Sequence, residues 1–278
     1  MGVSGMTSKV RPGNPIITLL TDFGLEDGTV GVMKGVILGI APQARLVDLS
    51  HGIGPQDVRA AAFVLGRIAP YFPDGTIHLV VVDPGVGTQR RSMAARLGPQ
   101  FFVGPDNGVA TRWIGRAERT SQPMSFVVLD RPEHWLPGVS PVFHGRDVFA
   151  PVAARLANGV PLAELGSPFE DPVRLDLPEP TAIQGGLRGE VEYIDHFGNL
   201  RTNIRREDCG ETEPKEVRLA GAEIHELART FGERKPGELM AFWGSGDELC
   251  IAVVNGNAAN RLGVSVGEPV ELRPCEEA

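Results

Sequence analysis

The sequence predicts an α/β domain with a mainly parallel sheet, followed by an all-β, barrel-like domain. Two observations lead there. In the first half, short aliphatic runs alternate with apolar residues at helical spacing, as strand–helix–strand units require. After a proline-rich stretch, that spacing gives way to short runs separated by Gly and Asn, which suits a small barrel or sandwich.

Ile16 to Leu20 is a buried strand ending in the polar turn Thr21-Asp22-Phe23-Gly24. From Thr29 to Ile40, the residues Val32, Met33, Val36, Ile37 and Ile40 fall on a helix that Pro42 ends. Leu46 to Leu49 is a second strand, residues 55–70 a second helix, and Ile77 to Val82 a β-branched third strand whose carboxyl end carries Asp83-Pro84-Gly85-Val86-Gly87. Strands follow at Phe101 to Gly104 and Phe126 to Leu129, and a helix at Asp147 to Ala157 is closed by Asn158-Gly159. Pro168, Pro172, Pro178, Pro180 and the Gly185-Gly186 pair mark an extended linker. The domains are therefore read as 14–170 (α/β), 171–189 (linker) and 190–278 (β-barrel). In the last of these, the runs from Val191, Leu249 and Pro269 are the strands.

The chain has 278 residues, 42% of them hydrophobic, enough for one large core or two modest ones. A formal charge of -8 argues against a nucleic-acid or anionic-membrane partner and leaves a small ligand. Cys209, Cys250 and Cys275 form neither a disulfide framework nor a paired metal signature, so a reducing cytoplasm is expected. Lys9 and Arg11 precede no apolar segment of signal-peptide type, and no membrane span is expected.

In a parallel sheet the ligand crevice lies at the carboxyl ends of the strands, so Asp22 to Thr29 and Asp83 to Arg90 are expected on one side. Asp22 and Asp83 can accept bonds from ribose hydroxyls or orient a water; equally, each can cap a turn. Gly85-Val86-Gly87-Thr88 lacks the Walker and dinucleotide endings, which disfavours a triphosphate site. Arg90 or Arg91 can fix a carboxylate or a water, or serve as a surface charge. His144, beside Gly145 in Phe143-His144-Gly145-Arg146-Asp147, can exchange protons near neutral pH, and Asp147 reads as a helix N-cap. No histidine spacing supports zinc, and no metal or other cofactor is expected. Asp195-His196-Phe197-Gly198-Asn199 sets an acid, an aromatic and an amide in one turn. It suits an adenosyl amino acid or makes an ordinary hairpin with Phe197 in the core. Asn255-Gly256-Asn257-Ala258 offers backbone groups or a tight turn.

Several stretches in order resemble the SAM hydroxide adenosyltransferase family, whose fold the fluorinases and chlorinases share. They are Thr21-Asp22-Phe23-Gly24 with Asp27, Asp48-Leu49-Ser50-His51, Val82 to Gly87, Gly104-Pro105-Asp106-Asn107-Gly108, Phe143 to Asp147 and Asp195 to Asn199. The resemblance implies hydrolysis of S-adenosyl-L-methionine (SAM) at the ribose 5′ carbon, to adenosine and L-methionine. It implies a homotrimer with sites between subunits, and Asp83, Arg90 and His144 around the attacking water. It further implies that Asp22 meets the ribose hydroxyls, Asp27 and Thr29 the methionine end, Asp195 the ammonium, Phe197 the adenine face and Asn199 its edge. Gly28, Gly145, Ser245, Val253, Asn255 and Ala258 complete the implied substrate contacts. Thr29 stands where many such hydrolases carry Tyr. The halogenases of this fold have Tyr where Asp83 and His144 stand here, and an added loop for which the stretch from Asp83 to Gly104 leaves no room. The alternatives are a halide-dependent 5′-transferase, a non-catalytic SAM or adenosine binder, and another nucleoside hydrolase.

Overall fold

The structure, a computed structural model, describes residues 14–210 and 214–273. It divides into two compact units, which meet in the chain at Leu175 and Asp176. Among the described residues no helix is long and apolar enough to cross a membrane.

The first unit runs β1 (Ile16–Thr21), α1 (Thr29–Ile40), β2 (Arg45–Ser50), α2 (Val58–Ile68), β3 (Ile77–Val81), β4 (Ser92–Leu97), β5 (Gln100–Pro105), α3 (Thr111–Arg119), β6 (Met124–Val128), α4 (Ala150–Ala157) and β7 (Ser167–Phe169). Its seven strands are ordered β2-β1-β3-β5-β4-β6-β7. The first four are mutually parallel and the rest add antiparallel, so the sheet is mixed around a parallel centre. Both faces are covered, which is why the central strands are continuous apolar runs. Alternation assigns each residue to a face: Ile17, Leu19, Leu79 and Val81 join the core with α1 and α4, while Leu20, Val80 and Val82 join the core with α2 and α3.

Several elements of this unit differ from the sequence pattern, which marked neither α3 nor β7. Helix α2 is shorter than 55–70, because Asp57 caps it by accepting from the Ala60 amide at 2.8 Å. Strand β4 escaped the pattern because its centre, Ala94-Ala95, has little β preference; these small side chains sit fully buried, one in each core. The helix expected from Asp147 begins as a π-helical turn, Gly145–Phe149, and becomes α-helical at Ala150. Asp147 is therefore not its cap: buried, it accepts from the Ser140 amide at 2.8 Å and from Arg146 Nε at 2.6 Å.

The second unit contains β8 (Thr181–Ile183), β9 (Gly186–Ile194), β10 (Leu200–Arg205), β11 (Glu216–Leu219), β12 (Ala222–His225), β13 (Leu239–Trp243), β14 (Glu248–Val253), α5 (Ala258–Leu262) and β15 (Pro269–Arg273). All its pairings are antiparallel. The order is β12-β11-β15-β9-β10-β14-β13, with β8 added on β9 and the two end strands meeting, so the sheet is nearly closed around a core of Val191, Leu200, Ile251 and Leu272. Within 171–189, Gln184 and Gly185 make a hairpin turn: β8 and the start of β9 pair across it, Ile183 opposite Gly186.

Candidate active site

Strands β1 and β3 are parallel neighbours, so the loops that leave their carboxyl ends, carrying Asp22 and Asp83, open on the same side of the sheet. The loop after β3 is held against the loop before the π-helical turn. Gly87 has φ +75°, and a Cβ there would lie 2.3 Å from the Pro141 carbonyl oxygen. Helix α4 packs on β1 and β3. The π-helical turn in front of it begins at Gly145, where a Cβ would press on Val81 at 3.1 Å, and His144 directly precedes it.

These constraints bring together Asp83, Arg90 and His144. Arg90 Nε donates to Asp83 Oδ1 at 2.8 Å and Nη2 to Asp83 Oδ2, a two-point grip. Nη2 also lies 3.0 Å from His144 Nδ1, and Nη1 donates to Ser92 Oγ at 2.8 Å. The side chains of Asp83 and Arg90 are 4% and 10% exposed, and the guanidinium lies 5.4 Å from the Phe149 ring centroid. Guanidinium can only donate, so Nδ1 of His144 must accept and the neutral ring carries its proton on Nε2. Burial and the Arg90 charge both push the His144 pKa below its ordinary value, which favours that neutral form. The cluster thus presents an outward donor on His144 and a carboxylate held rigid by arginine.

Arg91, the alternative arginine, points elsewhere. It donates to Asp106 Oδ2 and Asp171 Oδ1, each at 2.8 Å, and stacks on Phe169, so the Asp106 motif serves to tie down the end of this unit. Asp22 Oδ2 accepts from the Gln56 amide at 2.7 Å. Asp27 Oδ1 accepts from the Thr29 amide at 3.0 Å ahead of α1, and hydrogen bonding to Thr29 lowers its pKa. Gly28 between them is left-handed, at φ +76°.

In the second unit the turn 195–199 joins β9 to β10. Asp195 Oδ1 accepts from the Phe197 and Asn199 amides, each at 3.0 Å. Its Oδ2 accepts from Asn199 Nδ2 at 3.0 Å and Arg201 Nη2 at 3.4 Å. Four donors use the four lone-pair sites of a carboxylate, and the arginine contact is the longest. Phe197 is 72% exposed, which removes the reading that places it in the core. Gly198 rests on Asn257 and its carbonyl accepts from the Ala259 amide at 3.0 Å, so this turn and the segment 255–258 are neighbours. Val253 and Ala258 are buried in the barrel core, leaving only backbone groups to meet a ligand. Ser245 lies in the turn before β14, next to Gly246, whose amide donates at 3.0 Å to Glu248 Oε2, so its turn is tied through Glu248 and Arg201 to Asp195.

Sequence reasoning passed over Arg201 and Glu248. Glu248, 2% exposed, receives Arg201 Nη1 at 2.5 Å and so holds the arginine that reaches Asp195. The available signal was an arginine within a largely buried strand, which needs a buried partner. Among the described residues, Glu216, Glu223 and His225 lie within 4.8 Å of one another in a metal-like group. They are on the exposed β11–β12 hairpin, where Arg218 Nε already bridges the two carboxylates at 3.0 and 3.4 Å. Cys209 and Cys250 form no disulfide, and Cys275 lies outside the described residues.

The chain matches the family model of the SAM hydroxide adenosyltransferase N-terminal domain over residues 17–166 and that of the C-terminal domain over residues 189–271. It is 43% identical over 266 residues to a Thermus thermophilus protein named (R)-S-adenosyl-L-methionine hydrolase, covering 92% of this chain and 98% of that protein. A fluorinase from Actinoplanes is 34% identical over 226 residues, covering 70% of this chain and 74% of that one. The crystal structure of an uncharacterized conserved protein from Thermotoga maritima superposes with a TM-score of 0.84 at 37% identity, covering 92% and 99% of the two chains. Both halves of the chain match in order and nearly full-length relatives share its fold: the protein belongs to the SAM hydroxide adenosyltransferase family.

Proposed function

We propose that this chain hydrolyses SAM at C5′ of the ribose, giving adenosine and L-methionine, and that it takes the R epimer at sulfur named in its 43%-identical relative. The observation that carries the reading is the Asp83–Arg90–His144 cluster, cross-linked around the buried Asp83 carboxylate at the carboxyl end of the sheet's parallel centre. The sulfonium leaves as a neutral thioether, so the leaving group needs no acid. The main task is to hold a water in line with the C5′–S bond. The water oxygen forms the C–O bond while the C–S pair goes to sulfur. His144 Nε2–H donates to that water and keeps its own proton, while a proton of the water passes to Asp83 and then to solvent. No resident metal or cofactor takes part. A carboxylate at position 83 repels halide, which favours water over the halogenase alternative.

Asp22 binds the ribose hydroxyls, and Asp27, Gly28 and Thr29 the methionine end. Phe197 stacks on adenine. Because Asn199 Nδ2 is committed to Asp195, Asn199 Oδ1 is the atom that accepts from the adenine amine. The methionine ammonium replaces the long Arg201 contact on Asp195. The enzyme works in a reducing cytoplasm as a homotrimer, each site drawing on two subunits, with neither nucleic acid nor membrane as a partner.

Incubation of each sulfonium epimer in oxygen-18 water, with and without chloride, followed by chromatography and mass detection, tests this. Labelled adenosine and methionine from the R epimer are expected, whereas unlabelled or absent adenosine, or a 5′-chloro product, overturns the reading.

A further inference from the structure

We propose that Lys34, Asp48 and His51 form a positioning relay that fixes the Thr21–Gly24 turn, and with it Asp22, for substrate. The proposal rests on the reading that Asp22 binds the ribose hydroxyls.

His51 follows β2, with its side chain only 3% exposed. Its Nδ1 lies 2.8 Å from Thr21 Oγ1, and its Nε2 lies 3.1 Å from Asp48 Oδ1. The Asp48 carboxylate stands close to Nε2 but out of line for a hydrogen bond, so it acts by charge: it favours the proton on Nε2, and Nδ1 accepts from the Thr21 hydroxyl. The same hydroxyl oxygen accepts from the Phe23 amide at 3.2 Å, and the Gly24 amide donates to the His51 carbonyl at 2.8 Å. Both ends of the turn that carries Asp22 are thus tied to one buried residue. On the far side, Asp48 Oδ2 receives Lys34 Nζ at 2.7 Å from α1, the helix that begins directly after Asp27 and Gly28. The relay therefore links the two loops proposed to hold the ribose and the methionine end.

Thr21, His51 and Asp48 follow the order of a nucleophile, base and acid, but Thr21 is 0% exposed and its hydroxyl points inward, so it cannot attack a substrate. Gln56 supplies a second sign that Asp22 is held with care. Its amide donates to Asp22 Oδ2 from a left-handed backbone at φ 64°, a conformation that costs free energy in a residue other than glycine.

Lys34 and Asp48 are partly exposed, so K34M and D48N can be expected to fold even where H51Q does not. The steady-state constants for SAM should separate: KM rising about tenfold in H51Q and D48N and about threefold in K34M, with kcat within about twofold of the parent. In a D22A background, H51Q should raise KM less than about twofold further, because both changes act through one turn. Unchanged KM in all three single variants, or full additivity with D22A, overturns the relay. If D22A itself leaves KM unchanged, the ribose reading fails on its own. The relay is then judged by hydrogen exchange at the Phe23 and Gly24 amides, expected about tenfold faster in K34M; unaltered exchange overturns it.

Discussion

Each unit contains an arginine that grips an aspartate near an aromatic ring, and the two clusters are built in opposite senses. In the first, Arg90 is the hub: it holds Asp83, touches His144 and lies over the buried Phe149 ring. In the second, Arg201 is a prop, anchored behind by buried Glu248, and the aromatic Phe197 stands out in solvent. Burial of Asp83 and Arg90 strengthens their charge interaction, and Arg90 fixes one tautomer of His144, as proton chemistry needs. The second keeps a flat apolar face ready for a flat partner. Similar residue types thus serve reaction in one place and recognition in the other, and the difference is set by which member is buried.

The sharpest test of that contrast is Asp83→Ala. Loss of the proposed proton acceptor and of the partner of Arg90 should lower kcat by roughly a thousandfold while KM changes little. A variant that turns over at the parent rate removes Asp83 from the chemistry.

Acid should separate the two units next. His78 is buried in the first, with Nδ1 2.8 Å from Thr18 Oγ1, and burial pushes its pKa from 6.5 to about 4. The unfolded chain therefore binds a proton that the folded unit refuses. Stability is full above pH 6.5 and falls as pH drops towards about 4, by about 3 kcal/mol in all. Both described histidines of the second unit, His196 and His225, are exposed. Hydrogen exchange followed between pH 6.5 and 4, corrected for intrinsic rates, should show the first unit opening more easily while the second changes less. His78→Phe should abolish the difference.

Phe197→Ala should act in the reverse manner to Asp83→Ala. Losing one stacking face should raise KM about tenfold to a hundredfold and leave kcat nearly intact. If kcat falls instead, recognition and reaction are not divided between the two clusters.

The smallest effect belongs to His144→Gln. A glutamine amide reaches the place of Nε2–H, so kcat should stay within about tenfold of the parent, whereas His144→Ala should lose about a hundredfold. In the parent enzyme, protonation of Nδ1 sets two donors face to face. Burial and Arg90 hold that pKa below the usual histidine range, so the acid limb of kcat should appear only below about pH 6.5. A glutamine enzyme as inactive as the alanine one makes His144 the base.

The order from β1 through α1, β2 and α2 to β3 was legible in the chain because apolar spacing is a local property. The runs at Ile16 and Ile77 and the helical spacing from Thr29 appear in the structure nearly residue for residue. So was the position of Asp22 and Asp83 at strand ends, since parallel pairing places such loops on one side. Strand β4 was not, because two alanines carry little preference of their own and are placed by the cores on either side of them.

What the sequence determined by itself is the fold class, the family motifs and the chemistry its residue types can perform. Only the tertiary structure decided how Arg90, which the resemblance had named, grips Asp83 and reaches His144 across 54 positions, that Asp147 braces a loop instead of capping a helix, and that Glu248 stands behind Arg201. The physical reason is the same each time: a hydrogen bond is fixed by distance and direction in space, and residues far apart in the chain acquire these only when the cores between them have packed.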